Sequence, residues 1–198
     1  MATTISGTSG VTFPAGGVGN PAGAVVGTTD TQTLTNKTLG SGLVAGASYL
    51  TLGTAVATTS GTTADITGIP SWVKRVTLIF NNNSTSGTSN YLVQIGSGSI
   101  VTTGYSSTCQ QGTTSVSSTA GFIASQGIAA ARIVFGSMQI YAYSASIYIA
   151  SGVLADYTAA VHSSGGGINL GGALDRIRLT TANGTDTFDS GSINILYE

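Results

Sequence analysis

The sequence predicts an all-β protein, in which an extended N-terminal arm and a short trimeric neck precede an antiparallel β-sandwich with a jelly-roll-like order of strands. Three observations indicate this fold class. First, the chain contains short runs that are rich in β-branched and aromatic residues and alternate between apolar and polar positions. Second, clusters of Gly, Asn and Ser separate these runs. No stretch has a helical period of useful length, since the best candidate, residues 127–131, is too short.

Residues 1–28 form a segment that lacks the apolar residues needed for a core of its own. Pro14 and Pro21 stand among many glycines, with neither a helical nor a strand period. Such a segment is either a flexible tail or an arm that becomes ordered along another protein. In the second case its few apolar side chains are the anchors: Phe13, Val18, Val25 and Val26.

Residues 29–47 have a pattern that indicates assembly of several chains. Threonine occupies every second position from Thr29 to Thr35, so on an extended chain these side chains share one side and Leu34 lies on the other. One copy buries too little apolar area to fix its shape. Three copies around an axis can bury Leu34 and Leu39 against one another, which predicts a trimeric neck.

Residues 48–198 carry the strands of the predicted sandwich. Alternation in Trp72–Asn81 places Val76, Leu78 and Phe80 on one face with Lys74, and Arg75, Thr77 and Ile79 on the other. Two polar runs, Asn81–Asn90 and Ser106–Ala120, are predicted to be loops, and Ser163–Gly167 a break between strands. The remaining predicted strands are Tyr49–Val56, Tyr91–Ile95 (a hairpin partner of Trp72–Asn81), Ile100–Tyr105, two or three strands in Arg132–Ala150, Leu174–Thr181 and Ser192–Glu198, with a tight turn at Asn183–Gly184.

The composition excludes several classes of partner. Only 7% of the residues are charged and the net charge is -1. The chain therefore lacks the basic surface that binds nucleic acids or anionic membranes. Roughly a quarter of the residues are Ser or Thr, which predicts a surface of hydroxyl groups. The single cysteine, Cys109, excludes an internal disulfide. Residues 1–12 do not resemble a signal peptide, so we expect a soluble protein made in the cytoplasm.

The residues that could carry chemistry are few, and the sequence predicts no enzyme, cofactor or metal site. His162 is the only histidine, and no nucleophile motif accompanies the many serines. Asp186 and Asp189 have a spacing that suits a calcium site or a pair of glycosidase carboxylates, but turn formation is the simpler interpretation. A sugar-cleaving depolymerase is the alternative from another functional class.

Three tyrosines are candidates for a binding surface. Tyr141, Tyr143 and Tyr148 lie in one short run, and the first two share a strand face. They either present rings to a sugar or pack in the core or between subunits, and packing is the favoured interpretation.

Four stretches resemble virion proteins of tailed bacteriophages. DTQTLTNKTL, Asp30–Leu39, is similar to an element of tail fibres and head fibres. Three further stretches resemble a C-terminal domain of phage structural proteins: Gly68–Asn82, Thr88–Tyr105 and Leu174–Glu198.

This resemblance implies a homotrimeric fibre in the virion. Its arm would dock on another virion protein, and its β domain would point outward, towards a host cell-surface glycan if the fibre belongs to the tail. A head fibre or capsid decoration protein has the same expected architecture, and neither alternative implies nucleic-acid binding or membrane insertion.

Overall fold

The computed structural model describes residues 4–6, 10–12, 50–158 and 160–198. The chain divides into two units, Met1–Gly46 and Ala47–Glu198. In the first unit, strands β1 (Thr4–Ser6) and β2 (Gly10–Thr12) pair in antiparallel fashion.

The second unit is an all-β sandwich of antiparallel strands. In chain order, its strands are β3 (Thr51–Leu52), β4 (Val56–Ala57), β5 (Ala64–Thr67), β6 (Arg75–Thr85), β7 (Tyr91–Ser97), β8 (Ser99–Ile100), β9 (Ser106–Gln111), β10 (Thr114–Ser118), β11 (Phe122–Ile123), β12 (Val134–Ala142), β13 (Ile147–Asp156), β14 (Val161–Asn169), β15 (Arg176–Thr181) and β16 (Phe188–Tyr197). The large sheet has the order β10-β9-β14-β13-β12-β6-β16-β3, and β4 also pairs with β16. The small sheet has the order β11-β7-β15-β5, and β8 also pairs with β7.

The chain crosses repeatedly between the two sheets. The pairs β4–β5, β6–β7, β11–β12 and β15–β16 each have one strand in either sheet. The predicted hairpin between Trp72–Asn81 and Tyr91–Ile95 is therefore wrong. Its two strands are neighbours in sequence, but β6 pairs with β12 and β16, while β7 pairs with β11 and β15.

The core lies between the sheets and follows the predicted alternation. Val76, Leu78 and Phe80 of β6 are buried, whereas Arg75, Thr77 and Ile79 are half-buried. The facing side chains of the small sheet are Tyr91, Val93, Ile95, Ile177 and Leu179. Because successive side chains of a strand point to opposite faces, the other side of the large sheet is left as an outward surface.

Strand β6 extends into the asparagine-rich run that the sequence predicted as a loop. The backbone of residues 81–85 continues to pair with β16 through two register shifts. Two of its buried polar side chains bond across the fold: Asn83 Nδ2 donates to Thr58 Oγ1 at 2.7 Å, and Ser84 bonds to Asp189. The loop prediction failed because these long-range hydrogen bonds, and not apolar residues, hold the strand.

Two other segments with few or no large apolar residues are strands as well. Ser106–Ala120 contains the hairpin β9–β10, in which Ser107 Oγ accepts a hydrogen bond from Ile123 N at 2.9 Å. Ser163–Gly167 lies inside β14 and does not break it. A Cβ at Gly166 would lie only 2.9 Å from Ser107 Cβ, so glycine lets β14 pass close to β9.

Candidate functional site

The outward surface of β12, β13, β14 and β9, called the outer face below, is the most distinctive surface among the described residues. It is built from every second residue of these strands, and none of those residues is charged. Its outward positions are Phe135, Ser137, Gln139, Tyr141, Ile147, Ile149, Ser151, Val153, Ala155, Val161, Ser163, Gly165, Gly167, Asn169, Ser106, Thr108 and Gln110.

Large apolar side chains stand exposed on the outer face. Val153 is 55% exposed, Val161 53%, and Ile149 46%. Tyr141 lies directly opposite Ile149, and Val153 lies between Ser137 and Ser163 on the neighbouring strands. An antiparallel sheet with one solvated side usually carries polar residues there, so this surface departs from the usual pattern.

A shallow groove crosses the middle of the outer face. Its volume is about 360 Å³, and Ser137, Gln139, Ser151, Val153 and Ser163 are among its lining residues. The groove exists because serine and glycine occupy positions between taller side chains. It offers hydroxyl groups and one amide, with no ionisable side chain in its lining.

The predicted tyrosine surface is present only in part. Tyr143 is 74% exposed in the turn after β12, and Tyr141 is exposed with its hydroxyl bonded to Gln139 Oε1. Tyr148 points to the core, where its hydroxyl accepts a hydrogen bond from Leu174 N at 2.7 Å. Tyr148 is therefore excluded as a surface-binding candidate and follows the packing alternative instead, because β13 alternates and Ile149 holds the outward position.

The charged side chains of the described domain occur mostly as pairs. Arg178 makes two 2.7 Å hydrogen bonds to Asp65, and Arg176 Nε lies 2.7 Å from Asp175. Arg75 pairs with Glu198. Because opposite charges neutralise each other locally, these pairs produce no extended field of one sign.

A buried polar cluster lies where β13 ends and β14 begins. His162 and Asp156 are both fully buried as side chains, with Nε2 and Oδ2 3.6 Å apart. Arg132 reaches the same carboxylate at 3.0 Å. The other carboxylate oxygen accepts hydrogen bonds from the backbone N–H groups of Thr158 and Ala160, so the aspartate fixes the turn between the strands.

The pKa values in this cluster are shifted by burial and by hydrogen bonds. Burial keeps the pKa of His162 below its ordinary 6.5, despite the attraction of Asp156. Burial acts to raise the pKa of Asp156, but hydrogen bonds from Thr158 and Ala160 and the charge of Arg132 outweigh it and hold that pKa below 3.8. His162 is thus neutral and Asp156 ionised near neutral pH, and Nδ1 of the histidine accepts from Gln126 N at 3.4 Å.

Asp186 and Asp189 have separate structural partners. Asp186 accepts from Asn183 Nδ2 at 2.6 Å and from Ser89 N at 2.8 Å, and the bond from Asn183 is the main reason that the pKa of Asp186 lies below 3.8. Asp189 bonds to Ser84. Within the described ranges, no three His, Cys, Asp or Glu side chains are grouped as a metal site requires.

Other predicted residues can be placed only in part. The anchors Phe13, Val18, Val25 and Val26 and the neck residues Leu34 and Leu39 lie outside the described residues. Cys109 is a fully buried residue on the inner side of β9, and burial raises the pKa of its thiol to about 11.

The sequence prediction missed the outer face, although part of its signal was present. The run Ile147–Val153 (IYIASGV) puts Ile149 and Val153 on one side and Tyr148 and Ala150 on the other, so apolar residues occupy both faces. Their combination with the serines and glycines of β9 and β14 depends on long-range pairing, which the local sequence does not specify.

Comparison with protein-family models, curated proteins and solved structures finds no match for this chain. In the part of the chain that the structure describes, no helix combines the length and the apolar character needed to cross a membrane.

Proposed function

We propose that the protein is a structural component of a tailed bacteriophage virion, a short homotrimeric fibre whose N-terminal arm docks on another virion protein. In this proposal the β domain points away from the particle and, as part of the tail, contacts the host surface. The role is mechanical and adhesive, with no catalytic step.

The proposal rests on the positions of the phage-like stretches in the sandwich. Gly68–Asn82, Thr88–Tyr105 and Leu174–Glu198 contain most of β6, all of β7 and all of β15 and β16. These four strands pair as β6 with β16 and β7 with β15. The resemblance therefore falls on one pair of adjacent strands in each sheet: the middle pair of the small sheet, and the pair next to the β3 edge of the large sheet. Packed pairs of this kind are where a shared fold constrains the sequence strongly.

The strand order supports an elaborated jelly roll. Eight strands, β4, β5, β6, β7, β11, β12, β15 and β16, form the orders β4-β16-β6-β12 and β5-β15-β7-β11. Numbered one to eight, they follow the jelly-roll orders 1-8-3-6 and 2-7-4-5. Strands β8–β10 and β13–β14 are then insertions, and β9, β10, β13 and β14 widen the large sheet.

The charge distribution supports a role in attachment. Arginines paired with acids leave a surface of hydroxyls and amides, which can meet neutral surfaces without a large cost of removing water from ions. Uncharged glycans of a host cell are one such surface.

Immunogold electron microscopy of the intact phage tests the proposal, with an antibody raised against residues 48–198. Label on tail fibres or tail tips is the expected result. Label on the capsid would replace the tail fibre with a head fibre or decoration protein, and purified virions free of the protein would overturn the virion role. Light scattering of the purified chain tests the trimer separately.

A further inference from the structure

We propose that the outer face of the large sheet packs against a second copy of this chain, so that the β domains of the assembly contact each other through β12, β13, β14 and β9. The inference rests on the proposed homotrimer, in which the outer faces of the copies would meet one another around the three-fold axis. Its starting point is the group of exposed apolar side chains on these strands.

The chemistry of the outer face suits contact with an identical surface. A charged face meeting its own copy would bring like charges together, but the outward positions of these strands carry no charge. Serine, threonine and glutamine side chains can bond to the same groups of another copy. The apolar side chains of Ile149, Val153 and Val161 lose water on contact, which favours association.

The outer face combines large exposed side chains with a recess. Val153 lies between Ser137 and Ser163 and lines the groove of about 360 Å³ together with them. Tyr141 and Ile149 stand exposed outside the groove lining, each two residues from a lining residue of its own strand. Close packing of two sheets requires such alternation of large and small side chains.

The area of the face approaches that of a standard contact. Strands β12, β13 and β14 have nine or ten residues each and β9 has six, so at about 3.4 Å per residue and a strand spacing of about 4.8 Å they cover roughly 550 Å² in projection. The accessible area is larger than the projection, and the adjoining strand β6 adds Thr77 and Ile79. A standard interface buries about 800 Å² on each partner, which the face and its border approach.

A saccharide fits the same surface less well. The exposed apolar residues extend from Tyr141 to Phe135, about 20 Å along β12, whereas a single sugar ring covers a small part of that length. The hydroxyl of Tyr141 is already bonded to Gln139. Only one amide side chain lines the groove, so it has few groups with fixed directions for sugar hydroxyls.

Thiol labelling of the full-length chain tests the proposal. In Val153→Cys, the new thiol lies on the outer face, and in Thr103→Cys it lies in an exposed loop, so that the second variant is the control. The native thiol of Cys109 is buried, and labelling of the parent chain measures its background rate of reaction. We expect the thiol of Val153→Cys to react at least roughly tenfold more slowly than that of Thr103→Cys in the oligomer, and equally fast in denaturant.

Sedimentation of Val153→Arg provides a second measurement. A buried arginine without a partner would separate the β domains, so we expect a lower sedimentation coefficient even if the neck keeps the mass unchanged. Thr103→Arg is the matched control and should behave as the parent. Circular dichroism establishes that both variants remain folded.

The outcomes separate this inference from the proposed function. An oligomeric parent, rapid labelling of Val153→Cys and no effect of Val153→Arg would together overturn the packed face but leave the fibre intact. A monomeric parent overturns the homotrimer and with it this inference. Protection of the Val153→Cys thiol only after a host glycan is added would assign the face to the receptor instead.

Discussion

His162 Nε2 lies 3.6 Å from Asp156 Oδ2, and both side chains are fully buried between the end of β13 and the start of β14. The histidine has no hydrogen-bond partner at Nε2, while Nδ1 accepts from a backbone N–H. This relationship makes the domain sensitive to acid, because protonation of His162 would place a second charge in a buried site.

The first prediction concerns stability between about pH 7.5 and pH 5. The pKa of folded His162 lies below 6.5, so the unfolded chain binds a proton that the folded chain does not. The contribution of His162 is therefore complete above pH 6.5 and is lost as the pH falls below it, by at most about 1.4 kcal/mol per pH unit. The depressed pKa of Asp156 adds a further loss below 3.8.

Urea unfolding across this range measures the effect, with His162→Gln as the variant that cannot titrate. The free energy of unfolding should fall less steeply with acid in the variant than in the parent. Parallel curves for the two proteins would show that His162 does not set the acid sensitivity.

The second prediction compares two arginines that both pair with aspartate. Arg132→Ala leaves the buried carboxylate of Asp156 without its cation, and we expect a loss of about 2–4 kcal/mol in the free energy of unfolding. Arg178→Ala removes a partly exposed pair with Asp65, and we expect about 0–1 kcal/mol, reduced further by salt. Thermal and urea unfolding measure both, and equal losses would contradict the difference in burial.

Much of the sandwich was predictable from local alternation. The faces of β6 and the inward Ile193 and Ile195 of β16 follow from the period-two pattern, because one side of each strand is buried and the other is not. The turn at residues 144–146 between β12 and β13 was also marked by its serines.

The remaining strands could not be predicted locally. Strands β9 and β14 have serine, threonine and glycine where apolar residues are expected, and they form because their backbones pair with each other and with β10 and β13. The polar end of β6 is held by partners more than a hundred residues away, including the bond from Ser84 to Asp189. The outer face combines these strands, so it appears only when their order is known.

The third prediction tests the register of β6 with two adjacent residues. Leu78 is fully buried between the sheets, so Leu78→Ala should cost about 2–5 kcal/mol in the free energy of unfolding. Ile79 points to the opposite side and is half-buried, so Ile79→Ala should cost about 1 kcal/mol or less. Urea unfolding measures both variants, and a larger loss for Ile79→Ala would mean that the strand faces are reversed.

The fourth prediction concerns Gly87, which lies against Asp186. A Cβ at position 87 would overlap the carboxylate of Asp186, which Asn183 and Ser89 hold in place. Gly87→Ala must therefore displace Asp186 and disturb these hydrogen bonds, and we expect a loss of about 1–3 kcal/mol in the free energy of unfolding.

A double-mutant cycle with Asp186→Ala separates this steric conflict from a general cost of replacing glycine. Once the carboxylate is removed, the added methyl group of Gly87→Ala has room, so the substitution should cost much less in that background than in the parent. Urea unfolding of the four proteins gives the interaction free energy between the two positions. If the two losses simply add, the cost of Gly87→Ala does not arise from contact with Asp186.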